Sequence, residues 1–159
     1  MAEDIDRKDV EILKMLKVDS RTPMGIIGDK LDISKATVSR RVASMEEGGT
    51  ITKYSLDIDY ASLGIMKSLV MMQIVGSPAQ VIIEQLKGYD EIGHVYKTFG
   101  DHNLVCEVYT HNVDELYEMI QTKLLKMPSV RNVEVDILLE GEDMNENADL
   151  KLFEKGLKD

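Results

Sequence analysis

Apolar residues recur at helical spacing three times over the first fifty positions of the chain, and afterwards mostly in alternation. In "IDRKDVEILKML" the spacing predicts a helix that opens at Asp6 as N-cap. Asp9 stands three residues later for a reciprocal capping bond, and Ile5 and Val10 are at staple distance. Val10, Leu13 and Leu16, flanked by Ile12, form its apolar face, and Val18, Asp19 and Ser20 begin the exit. A second helix starts near Thr22, with Pro23 at its first position, carries Met24, Ile27 and Leu31, and ends at Asp32. Ser34 then caps a third, whose buried stripe is Val38, Val42 and Met45 and whose end falls at Gly48 or Gly49. The segment "TITKYSLDID" alternates, with Thr52, Tyr54, Leu56 and Ile58 on one side, and is read as a linker strand, followed by a hinge at "YASLGI".

The pattern from residue 66 onward predicts β-α-β-β-α-β. Strand 66–75 leads to Ser77-Pro78 as the start of a helix carrying Val81, Ile82 and Leu86. "IGHVYKTF" and "NLVCEVYT" are strands joined by the tight "GDHN", and Asn112 with Glu115 caps a helix striped by Val113, Leu116, Ile120 and Leu124. Pro128-Ser129 breaks it, and Val133, Val135, Ile137 and Leu139 alternate on the last strand. That order is the ferredoxin-like arrangement, an antiparallel sheet with two helices on one face. The fold expected is α+β: a helix-turn-helix domain with its linker strand over 1–60, a ferredoxin-like domain over 61–140, and an acidic tail over 141–159 in which Leu150, Leu152, Phe153 and Leu157 favour a short helix as much as a frayed end.

Composition narrows this to a globular chain of 159 residues, 43% hydrophobic and 30% charged. No stretch approaches the roughly 20 apolar residues of a membrane span, and the charged start "MAEDIDRKD" lacks the apolar segment of a signal peptide, so a cytoplasmic protein with no membrane partner is expected. The lone Cys106 excludes an internal disulfide and reads as a small buried residue; core filling is the reading for Met66, Met71, Met72, Met119 and Met127, with Met71 and Met72 on opposite faces and one of them at a dimer interface. The net charge of -10 opposes phosphate binding taken as a sum. Its distribution changes that conclusion. Positions 1–60 hold 10 Lys/Arg against 12 Asp/Glu, whereas the remainder holds 9 against 17, and Lys35, Arg40, Arg41 and Lys53 fall close together.

A helix, a turn and a second helix with polar and basic residues over its N-terminal half is the pattern of a helix that enters the major groove. Lys35, Thr37, Ser39 and Arg40 are then the contact candidates: the two cations reach guanine or phosphate, and the two hydroxyls bond either. Arg41 lies about 100° further round and is read as a phosphate anchor or as a packing and salt-bridge residue. A three-helix core with a solvated basic face remains the bland alternative.

These residues resemble the Lrp/AsnC, or feast/famine, transcription regulators. "IDRKDVEILKML" is similar to the family's opening helix, "SRTPMGIIGDKLDISKATVSRRVASMEEGGTI" to its helix-turn-helix, and "TFGDHNLVCEVYT" to the Gly-Asp hairpin of its effector domain. The resemblance, over about positions 4–140, implies a winged-type DNA-binding domain and a ferredoxin-like domain that dimerises through its sheet. It also implies assembly of homodimers to tetramers or octamers, and an amino-acid effector in clefts between dimers. Ser34 matches the serine opening the recognition helix, Arg41 the arginine beside the buried Val42, and Gly100 and Asp101 the hairpin's glycine and acid. His102 and Asn103 stand where the family commonly has an aromatic residue and a second aspartate, so these four form the candidate effector loop with an altered charge. Gly28 stands where the family prefers alanine, an expected cost to helix 2 of up to about 1 kcal/mol.

The leading expectation is a sequence-specific regulator of double-stranded DNA, without cofactor, catalytic set or metal-ligand spacing. Recognition helices related by two-fold symmetry would read a pseudo-palindrome with half-sites one helical turn, or a multiple, apart. An amino-acid sensor with weak DNA binding is the alternative. In it the amides of the Gly100-Asp101 turn hold a carboxylate, unless Gly100 simply permits the turn and Asp101 bonds its own backbone. Siroheme decarboxylases resemble the same architecture. Their catalysis depends on histidines and basic residues around a tetrapyrrole, whereas His94, His102 and His111 lack an arginine-rich surround.

Overall fold

The computed structural model describes residues 5–157. Residues 1–4 of the charged start and residues 158–159 of the tail lie outside the described part. The described residues form two compact units, one from residues 5–57 together with 142–157 and one from 58–141.

Three helices build the first unit: α1 (Arg7–Val18), α2 (Met24–Leu31) and α3 (Lys35–Glu47). The Asp6 carboxylate accepts the Asp9 N–H and the Asp9 carboxylate accepts the Asp6 N–H, so the reciprocal cap read from sequence closes α1. Pro23 is the residue before α2 rather than its first position, and Asp32 ends that helix in the left-handed region. Ile12, Leu16, Ile27, Val38, Val42 and Met45 meet as one core. The expected linker strand is not formed. Residues 52–59 carry no strand pairing, because no neighbouring strand in the unit offers the ladder that a lone extended segment needs. A short helix near the C-terminus, α6 (Ala148–Glu154), packs against α1 in this unit.

Gly28 does the opposite of what helix propensity implies. A Cβ there would lie 2.6 Å from the Ile33 carbonyl oxygen and 3.4 Å from the Lys35 nitrogen, because the turn between α2 and α3 wraps back over this residue. The Gly28 carbonyl in turn accepts the Asp32 and Ile33 N–H groups. Glycine, having no Cβ, allows this close approach of backbone to backbone.

The second unit is a four-stranded antiparallel sheet of order β2-β3-β1-β4, from β1 (Met66–Ile74), β2 (Ile92–Lys97), β3 (Leu104–Thr110) and β4 (Val130–Leu138). Val70 pairs with Cys106 on one side and Val135 on the other, so Ser68, Val70, Met72 and Ile74 share a face with Leu104, Cys106 and Val108. Helices α4 (Ala79–Leu86) and α5 (Val113–Met119) bury Ile82, Leu86, Leu116 and Met119 on that face. Burial pushes the Cys106 thiol up to about 12, the behaviour of a structural cysteine.

Three details differ from the periodicity. Val113 and Val81 are exposed, and Met119 takes an inward place. Ser77 does not cap α4; its hydroxyl bonds that of Ser129 at 2.6 Å. After α5 comes one wide π-helical turn, Ile120–Leu124. Leu124 is buried, as the stripe predicts, and Lys123 beside it pairs with Glu91.

Candidate nucleic-acid interface and ligand loop

The start of α3 is built by capping. Ser34 has extended backbone angles, its Oγ accepts the Thr37 N–H at 3.1 Å, and the two hydroxyls lie 2.9 Å apart. Both side chains thus serve the first turn. Val38, Val42 and Met45 face the core and leave Lys35, Ser39 and Arg40 exposed. Among the described residues, Lys35 and Arg40 have no side-chain partner. Two cations and a hydroxyl therefore project from the N-terminal half of a helix whose own amides point the same way, a surface suited to phosphate and base edges.

Arg41 is turned to other use. Its Nη1 donates to Asp9 Oδ1 at 2.9 Å and to Asp6 Oδ2 at 2.8 Å, which ties α3 to the capping box of α1. The Asp9 side chain is 8% exposed and that of Arg41 28%, so the pair is largely withdrawn from water. Burial works to raise the Asp6 carboxyl but is outweighed by the Asp9 N–H and the Arg41 guanidinium, which hold it below its usual range. The hydrogen bond to Asp9 raises the Arg41 guanidinium further. Capping spacing alone flagged Asp6 and Asp9; that they also receive an arginine from α3 is invisible to local pattern.

At the other end of α3, Gly49 has φ 78° and turns the chain outward. Tyr54 returns to it, its hydroxyl donating to Glu46 Oε1 at 2.8 Å.

In the sheet unit the four loop candidates sit at the tip of the β2–β3 hairpin. Gly100 has φ 155°, a conformation that side chains resist. Thr98 closes the loop, its Oγ1 donating to the His102 carbonyl at 2.6 Å and its N–H to the Asn103 carbonyl at 3.0 Å. Asn103 is committed to the scaffold. Its Oδ1 accepts the Ile74 N–H at 2.6 Å and its own N–H donates to the Met72 carbonyl, which fastens the hairpin to the irregular end of β1. His102 Nε2 stands 3.4 Å from Glu134 Oε1 on β4, a neighbour that the sequence did not single out. Asp101 is exposed and its carboxylate bonds none of the described residues, its own backbone included, so the turn does not consume it. Phe99 beside it is fully exposed.

His94 is on β2, His102 in the hairpin and His111 ahead of α5, where it meets Glu115. No group of three His, Cys, Asp or Glu side chains among the described residues is placed to hold a metal ion.

Comparison with known proteins follows the same division. The winged helix-turn-helix DNA-binding model matches residues 5–52 and the Lrp/AsnC ligand-binding domain model matches residues 68–146. The HTH-type transcriptional regulator LrpA of Pyrococcus horikoshii is 33% identical over 139 residues, covering 86% of this chain and 97% of that protein. Two solved structures share the fold. AsnC of E. coli gives a TM-score of 0.76 at 23% identity over 90% of this chain and 97% of that one. The feast or famine regulatory protein of M. tuberculosis complexed with L-methionine gives 0.78 at 20% identity over 89% of this chain and 96% of that one.

Proposed function

Because the chain belongs to the Lrp/AsnC family of DNA-binding transcription regulators, we propose that it reads its operator through Lys35, Ser39 and Arg40 of α3. The observation that carries this assignment is the contrast between two adjacent arginines: Arg40 is exposed without a partner among the described residues, whereas Arg41 is engaged by Asp6 and Asp9. Ser34 and Thr37 present the first turn of α3 to a phosphate, and Arg41 acts as a positioning residue that sets the angle of the recognition helix. Lys35→Ala and Arg40→Ala are each expected to weaken operator binding by about 1 to 3 kcal/mol, roughly ten- to a hundredfold. The melting temperature should stay unchanged. Titration of the duplex at matched salt checks this, and unchanged affinity for both variants would sink the assignment.

The regulator binds an amino acid or a related small molecule at the hairpin of Gly100, Asp101 and His102. Exposed and unbonded among the described residues, Asp101 is suited to a ligand ammonium, and the turn amides beside it to a carboxylate. Asn103 shapes this loop from behind. Support comes from the M. tuberculosis regulator that shares the fold and whose structure is a complex with L-methionine. Calorimetry across the amino acids should give heat with at least one, abolished by Asp101→Ala; no heat with any, from protein that still binds DNA, rejects the reading.

Function requires a homodimer that assembles further to a tetramer or octamer. Two features favour association with a second copy: Tyr54, Leu56 and Ile58 leave an exposed apolar stripe on the unpaired linker, and Leu69, Met71 and Val105 share the sheet face opposite to the one that α4 and α5 cover. The protein acts in the cytoplasm by binding rather than by catalysis. No helix among the described residues is long and apolar enough to cross a membrane.

A further inference from the structure

The domain matches end at residue 146, just before α6, and this last helix lies on the DNA-binding unit. Its hold on α1 is largely ionic. Lys17 Nζ donates to Asp149 Oδ1 at 2.6 Å, and Lys14 Nζ lies 2.7 Å from Glu154 Oε1 and 2.7 Å from Glu11 Oε1. Apolar burial is slight: Leu150 and Leu157 are half-buried, while Leu152 is 73% and Phe153 46% exposed. A helix of seven residues does not persist in water by itself, so its order depends on these contacts.

The surroundings are basic. Lys17, Arg21 and Lys53 line the cleft that Asp149 borders, together with Asp57 and with Asp19, which pairs with Arg21; Lys14 and Lys30 line the one beside Asn147. Residues 142–159 supply six acidic side chains against three lysines. An anionic segment thus rests on the cationic flank of a unit whose ligand is a polyanion. Lys17 keeps the Asp149 carboxyl below its usual range, so this pair is ionised at neutral pH.

We propose that α6 and its acidic lead-in form a detachable strap on the basic flank of the DNA-binding unit, competing with DNA phosphate for Lys17 and Lys14. The proposal rests on the DNA-binding reading and names a regulation of that site. With the strap docked, the two lysines are neutralised from within the chain. Contact with flanking phosphate requires the strap to leave, and then releases counterions from the DNA. Lys14 keeps Glu11 as a second partner, so removal of the strap frees the equivalent of about one phosphate contact.

The test uses the full chain with the double substitution Asp149→Asn and Glu154→Gln, which removes both ion pairs and leaves the tail in place. Its control is Glu142→Gln with Asp143→Asn, which removes the same charge from tail residues that bond no described side chain. Retention on heparin and affinity for a duplex carrying the operator are measured over a salt series. The ion-pair variant is expected to leave heparin at higher salt and to bind the duplex about 3- to 10-fold tighter at low salt, with a log–log slope steeper by about one. The control should behave as the parent. Unchanged retention and slope in the ion-pair variant, weaker binding, or an equal response from the control each overturn the strap. Failure of the parent protein to bind any duplex would strike the DNA reading instead, and heparin retention reports on the strap independently of it.

Discussion

Arg41→Met is expected to lower the stability of the DNA-binding unit by about 2 kcal/mol, a melting-temperature loss of several degrees, while Arg40→Ala leaves it unchanged. Removing one partner of a buried ion pair costs roughly 3 to 5 kcal/mol when the other charge is stranded. Arg41 is only partly buried and Asp6 is half-exposed, so water screens part of that cost, and two further features reduce the figure here. Asp9 keeps its capping bond from the Asp6 N–H, and Arg41 Nε is itself buried without a partner among the described residues, a penalty that methionine removes. Operator affinity should fall as well, through loosening of α3 rather than loss of a contact, so the salt slope stays close to the parent's. A slope reduced by one with an unshifted melting curve would make Arg41 a phosphate contact and reject the positioning role.

The same pair sets a pH dependence. The Asp6 carboxyl is depressed in the folded chain, so its contribution is complete above the ordinary carboxylate pKa and is lost as pH falls through the lower folded value. Acid melting curves of the parent and Arg41→Met should therefore differ at neutral pH and converge on acidification. Curves that stay parallel down to low pH would remove the Asp6–Arg41 link from the account.

Gly28→Ala carries the second large effect. Propensity alone predicts a gain of up to about 1 kcal/mol in a helix interior. Against it stands backbone at 2.6 Å, which cannot rotate away as a flexible side chain can. Accommodating the methyl means moving the turn that feeds α3, an overpacking cost of about 1 to 3 kcal/mol. The net expectation is a loss of about 1 to 2 kcal/mol, with operator binding weakened because the methyl presses on the backbone that leads into Ser34 and Lys35. Thermal melting with duplex titration checks both, and a raised melting temperature would show that the turn yields freely.

Much of this was legible locally. Asp6, Ser34 and Asn112 announce their helices because a side-chain oxygen three residues from an orphan amide satisfies it whatever the rest of the chain does. Alternation placed all four sheet strands, since one face of each had to find a core. It failed at residues 52–59, where the side-chain pattern of a strand is present and a pairing partner is not. In the helix after Asn112 the expected stripe holds at Leu116 and Leu124 and fails at Val113, which is exposed.

The candidate sites divide in the same way. Helical spacing alone marked Lys35, Ser39 and Arg40 as an outward face, because a stripe of Val38, Val42 and Met45 leaves them nowhere else to point. Periodicity is a short-range property, and capping, amphipathic faces and the order of elements follow from it without knowledge of the fold. The roles of Arg41, Gly28 and Asn103 were decided only in three dimensions. Each depends on a group far along the chain or across a turn: the carboxylates of α1, the carbonyl of Ile33, the N–H of Ile74. A partner's identity in such contacts is set by how the elements pack, and no local spacing records it.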